Sequence, residues 1–386
     1  MNAIDLTVIP SSRIVEVARL AAATPDVDFL CFGESDQASP ETARLAAVQA
    51  LADGETRYPD VRGLPALRAA LSSYLTRLHA RPVAESRIQV TASGMAGLSV
   101  AMAAVIRNGD RVVVHGPVWP NIANAAHLKG AIVQRIDLDL QPDGAFRLDL
   151  DRLDTLMAGS RAFIVNSPGN PTGWTADDHE LRAIREICHR HGAWLISDEV
   201  YSRLVYDGRP AAPSVLDVAE PHDRIIICNS FSKTWRMTGW RLGWLVVPEG
   251  THEVFANILE VVHSGVAPFI QHAGVAAIGD TRAVDQFRAY CAAGRALAGE
   301  ALKGLNGVHY RPPTGAFYAF VAVDGLHDSF DLAKKLVTRH GVAVAPGAAF
   351  GSAGEGWLRV CFAQSASLME RAMQRLRDGL RAEMGS

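Results

Sequence analysis

Short apolar runs alternate with longer helical patterns between about residues 33 and 280. The runs are rich in β-branched residues and continuously apolar, which is typical of strands buried on both faces of a sheet. They lie at 87–90, 111–115, 132–136, 162–165, 194–197, 224–228 and 242–247. Helical patterns separate several of them, including 94–107, 176–191 and 249–263. This alternation predicts an α/β fold in which a mostly parallel, seven-stranded sheet is sandwiched by helices.

The pattern differs at the two ends of the chain. Before residue 33 it predicts one amphipathic helix, with Ile14, Val17, Ala18 and Leu20-Ala21 on one side. After a long helical pattern at 283–305, strands at 316–323, 342–344 and 357–362 mix with helices at 329–340 and 365–381. We therefore predict a smaller α+β domain built from the N- and C-terminal segments. The predicted boundaries are an N-terminal arm at 1–35, a large domain at 36–280 and a small domain at 281–386.

Composition narrows the class of protein. The 386 residues exceed what one core usually serves, and 48% hydrophobic with 20% charged residues is typical of a soluble globular enzyme. A net charge of −3 gives no electrostatic footprint for nucleic acid. We expect no membrane span and no signal peptide. The five cysteines are scattered among apolar residues, which favours reduced thiols in a cytoplasmic protein, and no metal site is expected because Cys188 and its neighbouring histidines lack a second ligand cluster.

A lysine stands just beyond the apolar run 224–228, in the segment SFSKT that begins at Ser230. Open α/β folds place their chemistry at the carboxyl ends of strands, so Lys233 is expected at the rim of the sheet. Its amine can bond to an aldehyde, and Ser230, Ser232 and Arg241 can hold a phosphate. Pyridoxal phosphate needs these groups together. For a single segment, a solvated basic loop is the ordinary alternative.

Polar side chains follow two further runs. Asp198 and Tyr201 come after the run 194–197, and Asn170 lies in the segment NSPGNPTG after the run 162–165. An aspartate beside a pyridine nitrogen keeps it protonated, while a tyrosine and an asparagine can hydrogen-bond the phenolic oxygen of the ring. Taken alone, Asp198 could instead cap a helix, with Glu199 as a solvated charge.

Three other positions have possible roles toward such a ligand. The turn Ser93-Gly94-Met95 opens a helix of small residues, where free N–H groups attract an anion and glycine permits close approach. Trp119 follows the next run and can stack on a ring or pack in the core. Arg359 interrupts an apolar strand, and a buried arginine needs either a ligand carboxylate or an internal acid.

Taken in order, these motifs carry a family resemblance. They are SGMAG, PVWPN, NSPGNPTG, SDEVY, SFSKTWRMTGWRLGW, PTGAFYAF, APGAAFG and RVCFA, between about residues 33 and 363. The chain resembles the class I (fold type I) pyridoxal-phosphate-dependent aminotransferases, in particular the branch with bacterial aspartate aminotransferases. The resemblance implies pyridoxal 5'-phosphate as cofactor and amino acid and 2-oxo acid substrates. It also implies a cytoplasmic homodimer with shared active sites.

The resemblance also implies a role for each matching residue. Lys233 resembles the Schiff-base lysine that shuttles the proton. Asp198 matches the partner of the ring nitrogen, and Tyr201 and Asn170 match the donors to the phenolic oxygen. The other matches are Trp119 for stacking, Ser93, Gly94, Met95, Ser230, Ser232 and Arg241 at the phosphate, Tyr58 toward the neighbouring subunit's phosphate, and Arg359 with Gly33 at the substrate carboxylate. Trp119 and Asn170 also border the substrate.

Two features depart from the family pattern. Met95 stands where relatives often have threonine or lysine, which removes a side-chain contact and leaves the backbone N–H. No second arginine can be assigned to read the side chain of a dicarboxylic substrate. The candidates, none supported by spacing, are Arg13, Arg57, Arg62, Arg236 and Arg282.

The predicted function is transamination of an L-amino acid to a 2-oxo acid by a ping-pong mechanism. Another reaction of the same cofactor at the α-carbon, by a β-lyase, a cyclising synthase or an oxidase-like enzyme, is the alternative. A non-enzymatic regulator with this fold would often carry a DNA-binding segment, which we do not expect here. The complete set of cofactor residues also argues against a regulator.

Overall fold

A computed structural model describes residues 9–384 of the chain, so that parts of the predicted N-terminal arm and small domain, residues 1–8 and 385–386, lie outside the described residues. The helices are α1 Arg13–Ala23, α2 Glu41–Ala52, α3 Pro65–His79, α4 Gly94–Val105, α5 Pro120–Leu128, α6 Leu150–Met157, α7 Asp178–Arg190, α8 Phe231–Thr234, α9 His252–His263, α10 Pro268–Gly279, α11 Thr281–Leu302, α12 Ser329–His340 and α13 Ala366–Met384. The strands are β1 Asp28–Phe29, β2 Ile88–Thr91, β3 Arg111–Gly116, β4 Ile132–Asp137, β5 Asp139–Leu140, β6 Phe146–Arg147, β7 Ala162–Asn166, β8 Trp194–Asp198, β9 Ile225–Ser230, β10 Gly243–Val246, β11 Val308–His309, β12 Tyr318–Val323, β13 Val342–Ala343, β14 Ala345–Pro346 and β15 Trp357–Cys361.

The seven predicted runs form one sheet in the order β2-β10-β9-β8-β7-β3-β4. Strands β4, β3, β7, β8 and β9 are parallel, whereas β10 is antiparallel to both β9 and β2. Strand β2 therefore runs in the same direction as β9. The predicted α/β class with a mostly parallel sheet is confirmed, and the carboxyl ends of six strands share one edge.

Alternate residues of the central strands enter two different hydrophobic clusters. In β7, Phe163 and Val165 pack in the cluster that includes residues of α3, α6 and α7. Their neighbours Ala162 and Ile164 pack in the cluster that includes residues of α4, α5 and α9. Because side chains alternate across a strand, this arrangement buries both faces of the sheet under helices.

Strand β4 departs from the prediction of uniformly buried strands. It lies at the end of the strand order, with β3 as its sheet neighbour, and Ile132 is 57% exposed. The apolar pattern of a short run does not show whether its strand is central or at an edge, since that depends on the order of the strands in the sheet.

Both chain ends contribute to a second, smaller α+β unit. Strands β11, β12, β15 and β14 form a sheet, and β1 pairs in parallel with β13. In α1, the predicted apolar residues Ile14, Val17 and Ala18 are buried in a cluster that also contains residues of α12. The predicted small domain is thereby confirmed, while its boundaries at residues 35 and 280 stay predictions. The predicted strand 342–344 is present as β13, which pairs with β1, whereas β14 lies beyond the predicted range and pairs with β15.

None of the helices between residues 9 and 384 combines the length and apolar character needed to cross a membrane.

Candidate active site

A cavity of about 410 Å³ lies at the carboxyl edge of the large sheet, where it meets the smaller domain. It is lined by twelve of the predicted site residues: Gly33, Gly94, Met95, Trp119, Asn170, Asp198, Tyr201, Ser230, Ser232, Lys233, Arg241 and Arg359. A larger cleft of about 750 Å³ lies between the β5–β6 hairpin and the smaller domain. Among the residues that the structure describes, no lysine lines that cleft, so we place the candidate active site in the smaller cavity.

Lys233 lies in α8, directly after β9, and its side chain faces the cavity. Its Nζ donates a hydrogen bond of 2.6 Å to the carbonyl of Gly33. Withdrawal from water lowers the pKa of Lys233 to about 8, because burial penalises the charged ammonium. A large fraction of the amine is therefore neutral near pH 8, which is the form that can attack a carbonyl group.

Asp198 ends β8 and is only 3% exposed. Its side chain accepts one long hydrogen bond, from the N–H of Val200 at 3.3 Å. Burial raises the pKa of Asp198 to about 7. The adjacent Glu199 is also buried, and it accepts hydrogen bonds from Ser197, Ser214 and the N–H of Val215. Glu199 is thus a satisfied structural group and not a solvated charge, which leaves Asp198 as the acid that faces the cavity.

Asn166, whose role the sequence did not reveal, organises the neighbouring loop. Its side chain donates to the carbonyl of Asp198 at 3.2 Å and accepts from the N–H of Asn170 at 2.8 Å. The side-chain oxygen of Asn170 in turn accepts from Arg359 at 3.0 Å. This bond orients the Asn170 amide so that its Nδ2 is the group available to a ligand. Trp119 is fixed to the same loop, because its backbone N–H donates to the backbone carbonyl of Asn170 at 2.9 Å.

Tyr318 was also missed from the sequence. It begins β12 in the smaller domain, and its hydroxyl lies 2.7 Å from that of Tyr201. A Cβ atom on Gly33 would lie 2.1 Å from the Tyr318 hydroxyl, so this contact requires glycine at position 33. Burial raises the pKa of both tyrosines, which keeps their hydroxyl groups protonated and able to donate.

Serine hydroxyl groups surround the start of α4. Ser93 caps the helix through its side chain and has a φ of 132°, a conformation that favours glycine. The Ser230 and Ser232 hydroxyl groups lie 2.9 Å apart. A Cβ atom on Gly243 would lie 2.7 Å from the N atom of Gly94, so the close approach of β10 depends on glycine. Helix N–H groups, hydroxyl groups and the guanidinium of Arg241 together form a suitable anion site.

Arg359 in β15 is 2% exposed, and no ion pair joins it to any residue between 9 and 384. Its guanidinium donates to the Asn170 side chain and to the carbonyl of Cys31, while its buried Nε has no hydrogen-bond partner. The internal acid that would neutralise a structural arginine is absent from this part of the chain. A carboxylate in the cavity would provide the missing partner.

Two predicted site residues do not line the cavity. Ser93 is buried at the cap of α4, just behind Gly94. Tyr58 is 92% exposed and lies on the outer surface. Its contact with a neighbouring subunit stays a prediction.

The comparisons with known proteins agree with this architecture. The sequence model of the family described as "Aminotransferase class I and II" matches residues 26–376. The chain is 30% identical to an aspartate aminotransferase of Pyrococcus horikoshii, covering 97% of this chain and 96% of that protein. It is also 30% identical to aromatic-amino-acid aminotransferase 2 of Thermococcus litoralis, over 97% of each chain. The crystal structure of an aminotransferase from Mycobacterium tuberculosis superposes with a TM-score of 0.92 at 30% identity, covering 99% of this chain and 100% of that one.

The fold and the cavity define an enzyme that uses pyridoxal phosphate. The chain belongs to the class I and II aminotransferase family, and it is a pyridoxal-phosphate-dependent aminotransferase. The cavity residues fit the cofactor. Asp198 is a buried acid without a cationic partner, Lys233 is a partly neutral amine, and the start of α4 offers donors to a phosphate.

We expect Asp198→Asn to stabilise the cofactor-free protein above pH 7. The pKa of Asp198 is about 7 in the folded protein, against an ordinary 3.8. Between pH 3.8 and pH 7 the folded state binds more protons than the unfolded state. The free energy of unfolding therefore falls as pH rises through this range, and the loss persists above pH 7. Asparagine removes this loss, which is at most about 4 kcal/mol. Thermal unfolding of the apoproteins should show a larger advantage of the variant at pH 8 than at pH 5.

The exposed Asp53 provides the control, because Asp53→Asn changes the same charge outside the cavity. A stability difference for Asp198→Asn that is the same at both pH values would contradict the assignment of Asp198 as a buried, destabilised carboxylate.

Proposed function

We propose that the protein transfers the amino group of an L-amino acid to a 2-oxo acid by a ping-pong mechanism, in which both substrates use the one cavity in turn. When bound, pyridoxal phosphate carries the amino group and accepts the electron pair of the substrate α-carbon. The observation that carries the proposal is that Lys233, Asp198 and Arg359, three charged groups without ion-pair partners among residues 9–384, line the same cavity.

Lys233 is proposed as both the covalent attachment point and the proton carrier. Its lowered pKa of about 8 allows Nζ to accept a proton and to release it again near neutral pH. The Gly33 carbonyl, 2.6 Å away, positions the amine at the boundary between the two domains. Asp198 would keep the ring nitrogen protonated, because a cationic neighbour compensates its buried charge.

Arg359 is proposed to bind the α-carboxylate of both substrates. Its Nε is buried without a partner, and its Nη1 is fixed by Asn170 at 3.0 Å. The rings of Tyr318 and Phe350 lie 4.5 and 5.0 Å from the guanidinium carbon and hold the group in place. A rigid guanidinium matches the two oxygens of a carboxylate.

Lys233→Ala should abolish transamination and the visible absorbance of the holoenzyme, since no other lysine in the described part of the chain lines the cavity. Activity is measured as amino-acid-dependent conversion of the 2-oxo acid acceptor, and release of ammonia from the amino acid is measured in its absence. Lys303→Ala, a substitution at the end of α11 outside the cavity, should leave both properties unchanged. Full activity of Lys233→Ala would refute the proposal. Release of ammonia without an acceptor by the wild-type enzyme would instead favour a lyase.

Arg359→Lys should lower kcat/KM for an amino acid by an amount equivalent to about 2–5 kcal/mol, because a lysine loses the planar contact with the carboxylate. The control compound is the amine that corresponds to this amino acid but lacks its carboxylate. Single-turnover rates with that amine should change little, since Arg359 has nothing to bind in it. An equal loss with both substrates would show that Arg359 acts only on the structure.

We also propose that the active protein is a homodimer. Exposed apolar residues line one side of α2, namely Leu45, Val48 and Leu51, and Val261 near the end of α9 is 88% exposed. The segment after Tyr58 packs beside the end of α9, since a Cβ atom on Gly265 would lie 2.9 Å from Pro59. Such a group of exposed apolar side chains is typical of a surface that another subunit covers. The five buried, free cysteines are compatible with the predicted cytoplasmic location, which stays a prediction.

Val261→Arg should weaken this dimer, because a charge would be buried where an apolar side chain packs. Sedimentation equilibrium should shift from two 41.5 kDa chains toward one. Leu128→Arg, at an exposed apolar residue of α5, is the control. A monomeric wild-type enzyme with full activity would contradict the proposed dimer. The predicted cytoplasmic location is tested separately, by cell fractionation.

A further inference from the structure

The cavity has more lining residues than the cofactor and the reacting groups require. Four of its residues are charged, and each already has a proposed partner: Asp198 and Lys233 at the cofactor ring, Arg241 at its phosphate, and Arg359 at the substrate carboxylate. Every other residue between 9 and 384 that lines the cavity is uncharged. The remaining, uncharged lining residues must therefore accommodate the substrate side chain without a further charge from this chain.

Part of the remaining lining is an apolar surface at the mouth of the cavity, which we name the α1 wall. It consists of Ile14, Val15 and Phe32. Ile14 is 7% exposed, whereas Val15 and Phe32 are 38% and 40% exposed, so the wall leads from the interior to the solvent. Helix α1 is held in this position because Ile14 packs in the cluster that contains residues of α12 and of β13.

The α1 wall adjoins the group that binds the α-carboxylate. Ile14 belongs to the same cluster as Cys31 and Phe350. Arg359 donates to the carbonyl of Cys31 and lies over the ring of Phe350. Phe32 follows Cys31 in the chain. A substrate whose carboxylate is bound by Arg359 therefore has an apolar surface within reach of its side chain.

The five arginines that could have read an acidic side chain do not line the cavity. Arg13 is exposed and lies over the ring of Phe330. Arg62 is paired with Asp60 at 2.8 Å, and Arg236 donates to the carbonyl of Ala38 at 3.0 Å. The remaining two, Arg57 and Arg282, are exposed.

We infer that the substrate side chain is apolar, so that amino acids such as leucine, methionine and phenylalanine are the preferred amino donors over aspartate and glutamate. This inference rests on the proposed function of the same cavity. An apolar side chain gains from leaving water against the α1 wall. A second carboxylate would lose hydration there without gaining a cation in return.

The test is a half-reaction screen of the purified holoenzyme, in which the change of the visible absorbance is followed after addition of each amino acid. We expect kcat/KM for at least one of leucine, methionine and phenylalanine to exceed that for aspartate and for glutamate by on the order of 100-fold. A higher value for aspartate or glutamate would overturn the inference, because no cation among residues 9–384 remains in the cavity to pair with their second carboxylate.

A pair of variants tests where the substrate side chain binds. Val15→Arg places a cation on the wall at a partly exposed position, and it should raise kcat/KM for aspartate relative to leucine by about 5-fold or more. Ala22→Arg adds the same charge at an exposed position of α1 that does not line the cavity, and it should leave this ratio unchanged. An equal response of the two variants, or none, would overturn the assignment of the α1 wall as the side-chain site.

The screen distinguishes this inference from the function on which it rests. If no amino acid changes the absorbance, the proposed transamination fails. If aspartate or glutamate reacts best, transamination stands and only the apolar substrate class fails.

Discussion

Three charged side chains enclosed in one cavity, without salt-bridge partners among residues 9–384, are the constraint on which the rest of the structure depends. Isolated buried charges are unfavourable, so a fold holds them only where surrounding interactions fix their positions. Here Lys233 contacts a carbonyl, Asp198 accepts one long hydrogen bond, and Arg359 retains an unpartnered Nε. Their pairing capacity is thus available to ligands. A cofactor with an anionic phosphate and a basic ring, together with a carboxylate substrate, complements this set of charges.

The fold makes this arrangement possible by distributing the groups over the large sheet and the smaller α+β unit. Asp198 ends β8 and Lys233 follows the adjacent parallel strand β9, so their separation is set by the sheet. Arg359 lies in the middle of a strand of the smaller domain. Two of the contacts between the units, Lys233 to Gly33 and Tyr201 to Tyr318, lie within the cavity itself. A substrate that binds Arg359 and reacts at Lys233 therefore bridges both units.

The large sheet and most of the cavity could be predicted because they depend on local patterns. Buried parallel strands are continuously apolar, and chemistry at their carboxyl ends follows from the topology. The remaining features depend on which distant segments meet. The exposure of β4 follows from its place at the sheet edge, and Tyr318 reaches Tyr201 only through the packing of two domains. Helices α2 and α3 are not predicted from the sequence pattern, since the alanine-rich face of α2 gives little periodic contrast.

The α1 wall and the reacting groups lie in different segments of the chain. This arrangement explains why a family assignment does not define the substrate. Relatives with equal identity to this chain carry the names of aspartate and aromatic-amino-acid enzymes. The groups proposed to perform transamination are spread over the large sheet and β15, whereas the α1 wall belongs to the N-terminal segment. The apolar side chains of that wall make no hydrogen bond to Lys233 or Asp198, so they can change without altering the reacting groups. In the proposed assignment, substrate choice and chemistry therefore belong to different parts of one cavity, and the uncharged α1 wall restricts the substrate side chain without altering the reacting groups.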